Sequence, residues 1–323
     1  DASNLPRSVR HKRWFETTVG SLNLFRLFDD IDDAPGINAL GEETDDAVVS
    51  TEEYQRRLGK FADYIVHGMR TPDIIGVQEV ESLKVLEDLA NAVNAVNPWA
   101  KYQAYLVEGN DIGSIDVGFL VRKWRVWVWD VEQLGADETY IDPETGELDL
   151  LHDRPPLVLK GWTGFMPINV MVVHNRSLGS IQTERVQIKR FEQAQSIAQK
   201  VQDIQSQRYK SNLVVVGDFN AFEISEGYVD TLGHIRGDFD PNERLLSGVD
   251  LVDPNLMNQL MSLPEEERYS FIFRGNAQTL DHALTSRSLD YRVRGMQYAR
   301  GNADAAVDLI NDDTTSLRAS DHD

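Results

Sequence analysis

The sequence contains no cysteine among its 323 residues. That excludes structural disulfides and thiolate metal sites, and leaves oxygen and imidazole donors for any metal. Positive charge is scarce too: 32 Lys and Arg stand against 53 Asp and Glu, for a formal net charge of −21. A surface of that sign repels nucleic acid and anionic membranes at long range, which argues against a sequence-specific DNA binder. It leaves room for an enzyme that meets phosphate through cations and a local basic patch, because exposed charges are screened beyond roughly 8 Å. No apolar run approaches the roughly 20 residues of a membrane-spanning helix. No basic amphipathic helix or apolar hairpin suggests a stable membrane association. No Gly/Ser-rich linker and no internal repeat divides the chain, so residues 1–323 read as a single domain.

Short apolar segments dominate what is present. "TTVGSLNLFRLF" (17–28), "PDIIGVQEV" (72–80), "YQAYLVE", "DVGFLVR", "VWVWDVEQL", "PPLVLKGW", "PINVMVVHN", "NLVVVGDFNAF" (212–222), "YSFIFRG", "TLDHALTS" and "YRVRGMQYA" all read as strands. Three helices interrupt them. The first opens on Ser50 and Glu53 with capping-box spacing and lines Tyr54, Leu58, Phe61, Ile65 and Met69 on one face. The second covers "SLKVLEDLANAVNAV", and the third puts Ile188, Phe191, Ala194, Ala198, Val201 and Ile204 on one side. The pattern predicts an α+β domain with two packed sheets and helices outside. Trp124, Trp127 and Trp129 alternate and are expected to face a core or inter-layer surface, with base stacking as the second reading.

Several strands end on polar groups: Asn23, Glu79, His174, Asp218 with Asn220, Asp281 with His282, and Asp321 with His322. Taken singly, each is an ordinary turn residue, cap or hydrogen-bonded histidine. Together they place carboxylates, amides and imidazoles where rigid strands meet solvent. Asn, Glu and Asp oxygens without cysteine suit a hard cation such as Mg2+ or Mn2+. An Asp–His pair can orient an imidazole for proton transfer or oxyanion binding. Metal, carboxylate and imidazole together suit phosphoester hydrolysis.

The blocks "SLNLF", "IIGVQEVE", "DVGFLVR", "VVVHNRS", "VVGDFNAF", "TLDHALTS" and "SDHD" run in order from Ser21 to the last residue. In this they resemble the endonuclease/exonuclease/phosphatase (DNase-I-like) superfamily. "DRPPLVL" and "YSFIFRG…LDHALTS" look like its bacterial predicted-extracellular-nuclease branch. The resemblance implies a four-layer α/β sandwich of two mixed sheets flanked by helices. It implies that Glu79, with Asn23 and with Asp321 in or near the shell, holds Mg2+ or Mn2+, Ca2+ being an alternative as structural or co-activating ion. Asp218 would orient or deprotonate the attacking water, and Asn220 would position the phosphate. His322, paired with Asp281, would stabilise the phosphorane-like transition state or assist proton transfer. His174 would bind a phosphate oxygen or protonate the leaving group. Arg176 stands where relatives often carry Lys, and Arg154 joins it as a substrate-binding candidate. Further basic candidates along a substrate path are Arg122, Lys123, Arg125, Lys189, Arg190 and Arg274. His282 occupies a position where many relatives have Tyr and is expected to be structural.

The implied function is a secreted or periplasmic nuclease acting on DNA, or RNA. A phosphoesterase of small or lipid phosphoesters, of sphingomyelinase or inositol-phosphate phosphatase type, is the alternative. A non-catalytic binding protein is the third reading, opposed by the complete set of polar residues. The chain begins at Asp1 rather than Met, which fits a removed leader.

Overall fold

The computed structural model describes residues 5–207, 212–240 and 246–323. Four strands form the first sheet: β1 (Val19–Leu27), β2 (Ile74–Val80), β3 (Tyr102–Leu106) and β4 (Asp116–Arg122), in the order β1-β2-β4-β3. β1 and β2 run parallel, and β4 is antiparallel to both of its neighbours. The second sheet is built from the following chain: β5 (Val126–Gln133), β6 (Leu157–Thr163), β7 (Met166–His174), β8 (Leu213–Asp218), β9 (Met257–Asn258) and β10 (Asp281–Thr285). Their order is β9-β10-β8-β7-β6-β5, with β7 and β8 parallel and the other pairs antiparallel.

The sheets pack face to face because alternate residues on both are branched and apolar. Ile74, Val117, Phe119 and Val121 meet Leu157, Leu159, Val170, Val172, Val214 and Val216 in one buried layer. Gly76 marks the closest approach. A Cβ there would lie 3.0 Å from Val172 Cγ2 and 3.1 Å from Val216 Cγ2. Helices α1 (Thr51–Asp63) and α2 (Leu83–Val96) cover the outer face of the first sheet, and α3 (Glu184–Gln205) and α4 (Thr231–Arg236) that of the second. The result is the expected α+β sandwich. Ser50 caps α1 by accepting the Glu53 N–H at 3.2 Å, and Tyr54, Leu58, Phe61 and Ile65 enter the core as their spacing predicts.

Four local expectations are corrected. Phe219, which the stretch "VVVGDFNAF" leads one to expect in the layer between the sheets, packs instead between sheet and helices, with Ala194, Ile197 and Leu232. Residues 291–299, read as a strand, form none; the one β-bridge nearby among the described residues joins Arg7 to Arg300, just past the segment. Trp127 is 66% exposed and Trp124 51%. Trp127, Trp129 and Trp162 form a chain of tilted rings, with centroids 6.1 Å apart, on β5 and β6. Finally, Ile188 and Phe191 of α3 are only half-buried, while Lys189, Arg190 and Gln193 turn inward. The layer beneath that end of α3 is a polar network, not a core. No helix among the described residues is long and apolar enough to cross a membrane.

Candidate active site

Parallel pairing brings the C-terminal ends of β1, β2, β7 and β8 to one edge of the sandwich, and β10 begins there. Asp218 stands opposite both His174 and Asp281 in the ladder. Along β8 the even-numbered Val214 and Val216 face the other sheet, and Asp218 continues that face. Along β10 the same alternation sends Asp281 toward the inter-sheet side and His282 toward the helices. There His282 Nε2 bonds the Ala221 carbonyl at 2.8 Å and its ring meets Phe219 edge-on. His282 is thus a buried structural group.

Local backbone features aim the side chains. Gly217 has φ +141°, and a Cβ there would sit 2.0 Å from the Val173 carbonyl oxygen, so only glycine fits before Asp218. The β2–β4 register shifts between Gln78 and Val80, and Glu79 at the shift has φ +59°. This bulge breaks the alternation that would otherwise bury Glu79 under the helices. A second irregularity follows Asn23 in β1, where Phe25 and Arg26 have φ +47° and +55°. Arg57 of α1 secures it by donating to the carbonyls of Leu24, Phe25 and Arg26 at 2.8, 2.5 and 2.7 Å. Asn220, at φ +49°, closes the turn after β8, its N–H bonding Asp218 Oδ1 at 2.8 Å.

These devices converge. Asn23 Nδ2 donates to Glu79 Oε1 at 3.1 Å and, across the sheets, to Asp218 Oδ2 at 3.4 Å, while its Oδ1 accepts the Phe25 N–H at 2.7 Å. Asn23 therefore presents its nitrogen to the carboxylates. His174 Nε2 lies 3.7 Å from Glu79 Oε1 and 3.8 Å from Asp218 Oδ2. On the other side His322 Nδ1 bonds Asp281 Oδ2 at 2.7 Å, and its Nε2 is 4.0 Å from Asp218 Oδ2. Potential ligand atoms of Glu79, His174 and Asp218 all lie within 4.8 Å of one another, as do those of Asp218, Asp281 and His322. Asp321 is half-buried beside them, and its Oδ1 is enclosed without a hydrogen-bond partner, as is His174 Nδ1.

Burial raises the Asp218 carboxyl well above the usual range, and the nearby Asp281 and Glu79 charges add to this against the pull of His322 and the Asn220 N–H. For His322 burial works against the proton. Asp281 and Asp218 outweigh it and push the imidazole up to about 10, so it is cationic at neutral pH. His174 moves the other way: burial, reinforced by Arg154 and His322, holds it well below its ordinary value and neutral. Two imidazoles of opposite charge state thus flank one buried carboxyl group.

Arg154 ion-pairs with Asp111 at 2.6 Å and donates to the Asn175 carbonyl at 3.3 Å, and its charge acts on Glu79 and His174. The Arg176 guanidinium contacts Ser177 Oγ at 3.4 Å. Arg274 sits at the tip of a hairpin, Phe271–Phe273 with Asn276–Gln278, whose Phe271 ring is 4.8 Å from that of His322. The other basic candidates are placed elsewhere. Arg122 and Arg125 pair with Asp73 at the far end of the first sheet, as the β2–β4 register requires. Lys189 is buried against Asp153 at 2.9 Å. Arg190 is fully enclosed; it donates to the Asn220 carbonyl at 2.8 Å and the Arg176 carbonyl, and pairs with Glu226 at 3.2 Å. Sequence reasoning missed Arg57, Arg190 and Gln193 as site supports. Their only local signal was a charged or amide side chain on a helix face that should be apolar.

The donor set fits a hard divalent cation. Glu79 and Asp218 offer oxygens, with His174, close enough to share one ion; Asp321 is in neither cluster of close donor atoms, though its Oδ1 has no protein partner.

Residues 18–313 match the model of the endonuclease/exonuclease/phosphatase family. No curated protein matches the chain in sequence. Among solved structures, truncated Caenorhabditis elegans TDP2 superposes with a TM-score of 0.50 at 16% identity, over 82% of this chain and 87% of that one. ANGEL2, a 2′,3′-cyclic phosphatase, gives a TM-score of 0.51 at 16% identity, over 83% of this chain and 84% of the other. These likenesses concern the fold, whereas the family match spans the site from Asn23 through His174 and Asp218 to Asp281. The chain belongs to the endonuclease/exonuclease/phosphatase family, hydrolases acting on phosphoester bonds.

Proposed function

We propose that the protein is a secreted or periplasmic nuclease that hydrolyses phosphodiester bonds in nucleic acid, DNA foremost, with Mg2+ or Mn2+ as cofactor. The observation that carries this reading is the buried Asp218 carboxyl group held between neutral His174 and cationic His322 at one strand edge. Glu79 and Asp321, with Asn23 steadying Glu79, would hold the cation, which when bound neutralises phosphate charge and favours deprotonation of water. The chain's own groups supply the rest. Asp218, low in the site and fixed by the Asn220 N–H, orients a water and accepts its proton. His322, kept protonated by Asp281, places a positive charge where negative charge grows on the phosphoryl oxygens. His174 donates a hydrogen bond from its neutral ring to the phosphate or the leaving oxygen. Arg176 and the hairpin-tip Arg274 would give a local positive rim on an otherwise acidic protein, with Arg154, ion-paired to Asp111, behind them.

Plasmid DNA incubated with Mg2+ or Mn2+ tests the reading. Cleavage that EDTA and Asp218→Ala both abolish is the expected result. A folded protein that leaves DNA and RNA intact but turns over a small phosphodiester would overturn the nucleic-acid assignment and favour a small or lipid phosphoester.

A further inference from the structure

The end of the sandwich opposite the catalytic edge holds groups that the reaction does not use. Three loops there repeat one pattern, an exposed aromatic ring beside a cation. Arg13, Trp14 and Phe15 precede β1, Trp99 and Lys101 lie between α2 and β3, and Lys123, Trp124 and Arg125 turn from β4 into β5. Trp14 is 87% exposed, Trp99 75% and Trp124 51%. The turn between β6 and β7 adds Phe165, which is fully exposed. All six tryptophans of the chain lie toward this end, the other three being Trp127, Trp129 and Trp162 on β5 and β6.

Direct contacts join these loops into one surface. Trp124 Nε1 donates to the Trp99 carbonyl at 3.0 Å, and the Arg125 guanidinium to the Glu16 carbonyl at 2.7 Å. Asp73 gathers Lys12, Arg122 and Arg125. Phe15 and Phe165 line one cavity. The local charge opposes that of the chain. Asp73 is enclosed by three cations, and the Glu16 carboxylate is taken by Arg10 at 2.7 Å. Lys101 and Lys123 are exposed, with no ion pair among the described residues. In a chain of net charge −21, a cationic and aromatic end of this kind is not a product of average composition.

We propose that this end docks reversibly on an anionic phospholipid bilayer, with the catalytic edge turned toward solution. Indole rings settle at headgroup level, where an apolar body and a polar N–H are both satisfied. Each Lys or Arg beside them adds attraction to anionic headgroups. Loop ends here do what a basic amphipathic helix does elsewhere. Rings on separate loops suit a broad surface. A nucleic-acid strand needs open ring faces along a groove, and the Trp124 ring already has the Arg122 and Arg125 guanidinium groups over it, 4.8 and 5.6 Å from its centroid. The run of β2 from Asp73 to Glu79 is about 20 Å, so a bilayer at one end leaves the other open. The acidic remainder of the molecule keeps the association weak and sensitive to salt.

Co-sedimentation of the full chain with phosphatidylglycerol vesicles and with phosphatidylcholine vesicles tests this, at low salt and in EDTA so that no divalent ion bridges carboxylates to headgroups. The expected result is binding to phosphatidylglycerol alone, with a blue shift of tryptophan emission, both reversed by added salt. Lys101→Gln/Lys123→Gln should weaken the partition at least about tenfold. Lys84→Glu changes the net charge equally, at the other end of α2 from Trp99, and should not. Trp14→Ser/Phe15→Ser should also weaken binding at least about tenfold. All four replaced side chains in the two double variants are exposed, so both should melt with the native protein. A native protein that leaves phosphatidylglycerol vesicles unbound, or double variants that bind as it does, overturns the proposal. Equal binding to phosphatidylcholine overturns the part given to charge. A single-stranded oligonucleotide that binds in place of vesicles, and that Lys101→Gln/Lys123→Gln loses, overturns the lipid assignment in favour of nucleic acid.

Discussion

His322 Nδ1 lies 2.7 Å from Asp281 Oδ2, and both side chains are buried. One belongs to the first strand position of β10 and the other to the final residues of the chain, 41 positions apart. The contact fixes the imidazole and its charge together. Asp281 is itself held from both sides, its N–H bonding Ser270 Oγ at 3.1 Å and its carbonyl accepting the Tyr298 hydroxyl at 2.6 Å.

The pair makes stability depend on alkaline pH. The His322 imidazole titrates near 6.5 when unfolded and is pushed up to about 10 in the fold by Asp281 and Asp218, against burial. A raised folded value stabilises fully below the unfolded value, and the contribution is lost as pH rises through the folded one. In EDTA, denaturant stability should therefore fall between about pH 7 and 10. Asp281→Asn should cost about 3–5 kcal/mol at neutral pH and flatten that slope. NMR titration of the His322 ring checks the cause. A ring that still titrates near 10 in Asp281→Asn would remove Asp281 as its source.

Asp218 carries the opposite trade. Its carboxyl is raised by burial, so ionisation is penalised in the folded state and stability is lost as pH rises through its folded value. Asp218→Asn removes that penalty while keeping the shape and the Asn220 N–H contact. The variant should lose about 10²–10⁴-fold in kcat/KM, yet melt at or above the native temperature at pH 8 without metal. Coincident loss of activity and melting temperature would make Asp218 a structural group.

Gly217 is the position where one methyl group should matter most. With φ +141° and a Cβ 2.0 Å from the Val173 carbonyl oxygen, Gly217→Ala must move β7 or β8. The cost should exceed about 1 kcal/mol, the scale for an unstrained glycine replacement. Because Asp218 is next in sequence, activity should fall further than a stability loss of that size explains. Urea midpoints alongside kcat/KM give both quantities.

The site's reacting groups could be found in the chain because strand ends announce themselves. "VVVGDFN" shows an apolar strand, a glycine and two polar residues in a row, and alternation alone places Asp218 and Asn220 on one face. Its supports could not be found that way. Arg57 and Arg190 bond backbone carbonyls 31 to 33 and 14 to 30 residues away, and a carbonyl leaves no residue type to read. Ile188 and Phe191 followed a helical apolar pattern, but the groove beneath them had already been claimed by Gln193 and Arg190. Trp127 and Trp129 alternate as core residues do. They stand on the outer face of an edge strand, which alternation by itself cannot distinguish from the inner one.

Arg190 gives a test of that hidden support. Its side chain is fully enclosed and pairs with Glu226, itself only 2% exposed. Arg190→Met leaves the Glu226 carboxylate buried without a counter-charge and unpairs the Asn220 and Arg176 carbonyls, so it should destabilise by about 3–5 kcal/mol. Glu226→Gln alone should cost less, since Arg190 keeps its bonds to the Arg176 and Asn220 carbonyls and the Thr231 hydroxyl. In the double variant the uncompensated charge is gone, so stability should recover by at least about 1 kcal/mol over Arg190→Met. Activity should not recover with it, because the two carbonyls that set the turns after His174 and Asp218 remain unpaired. A double-mutant cycle in urea, run beside kcat/KM, separates the two effects. Strict additivity of the stabilities would mean that the ion pair is incidental and that Arg190 acts through the carbonyls alone.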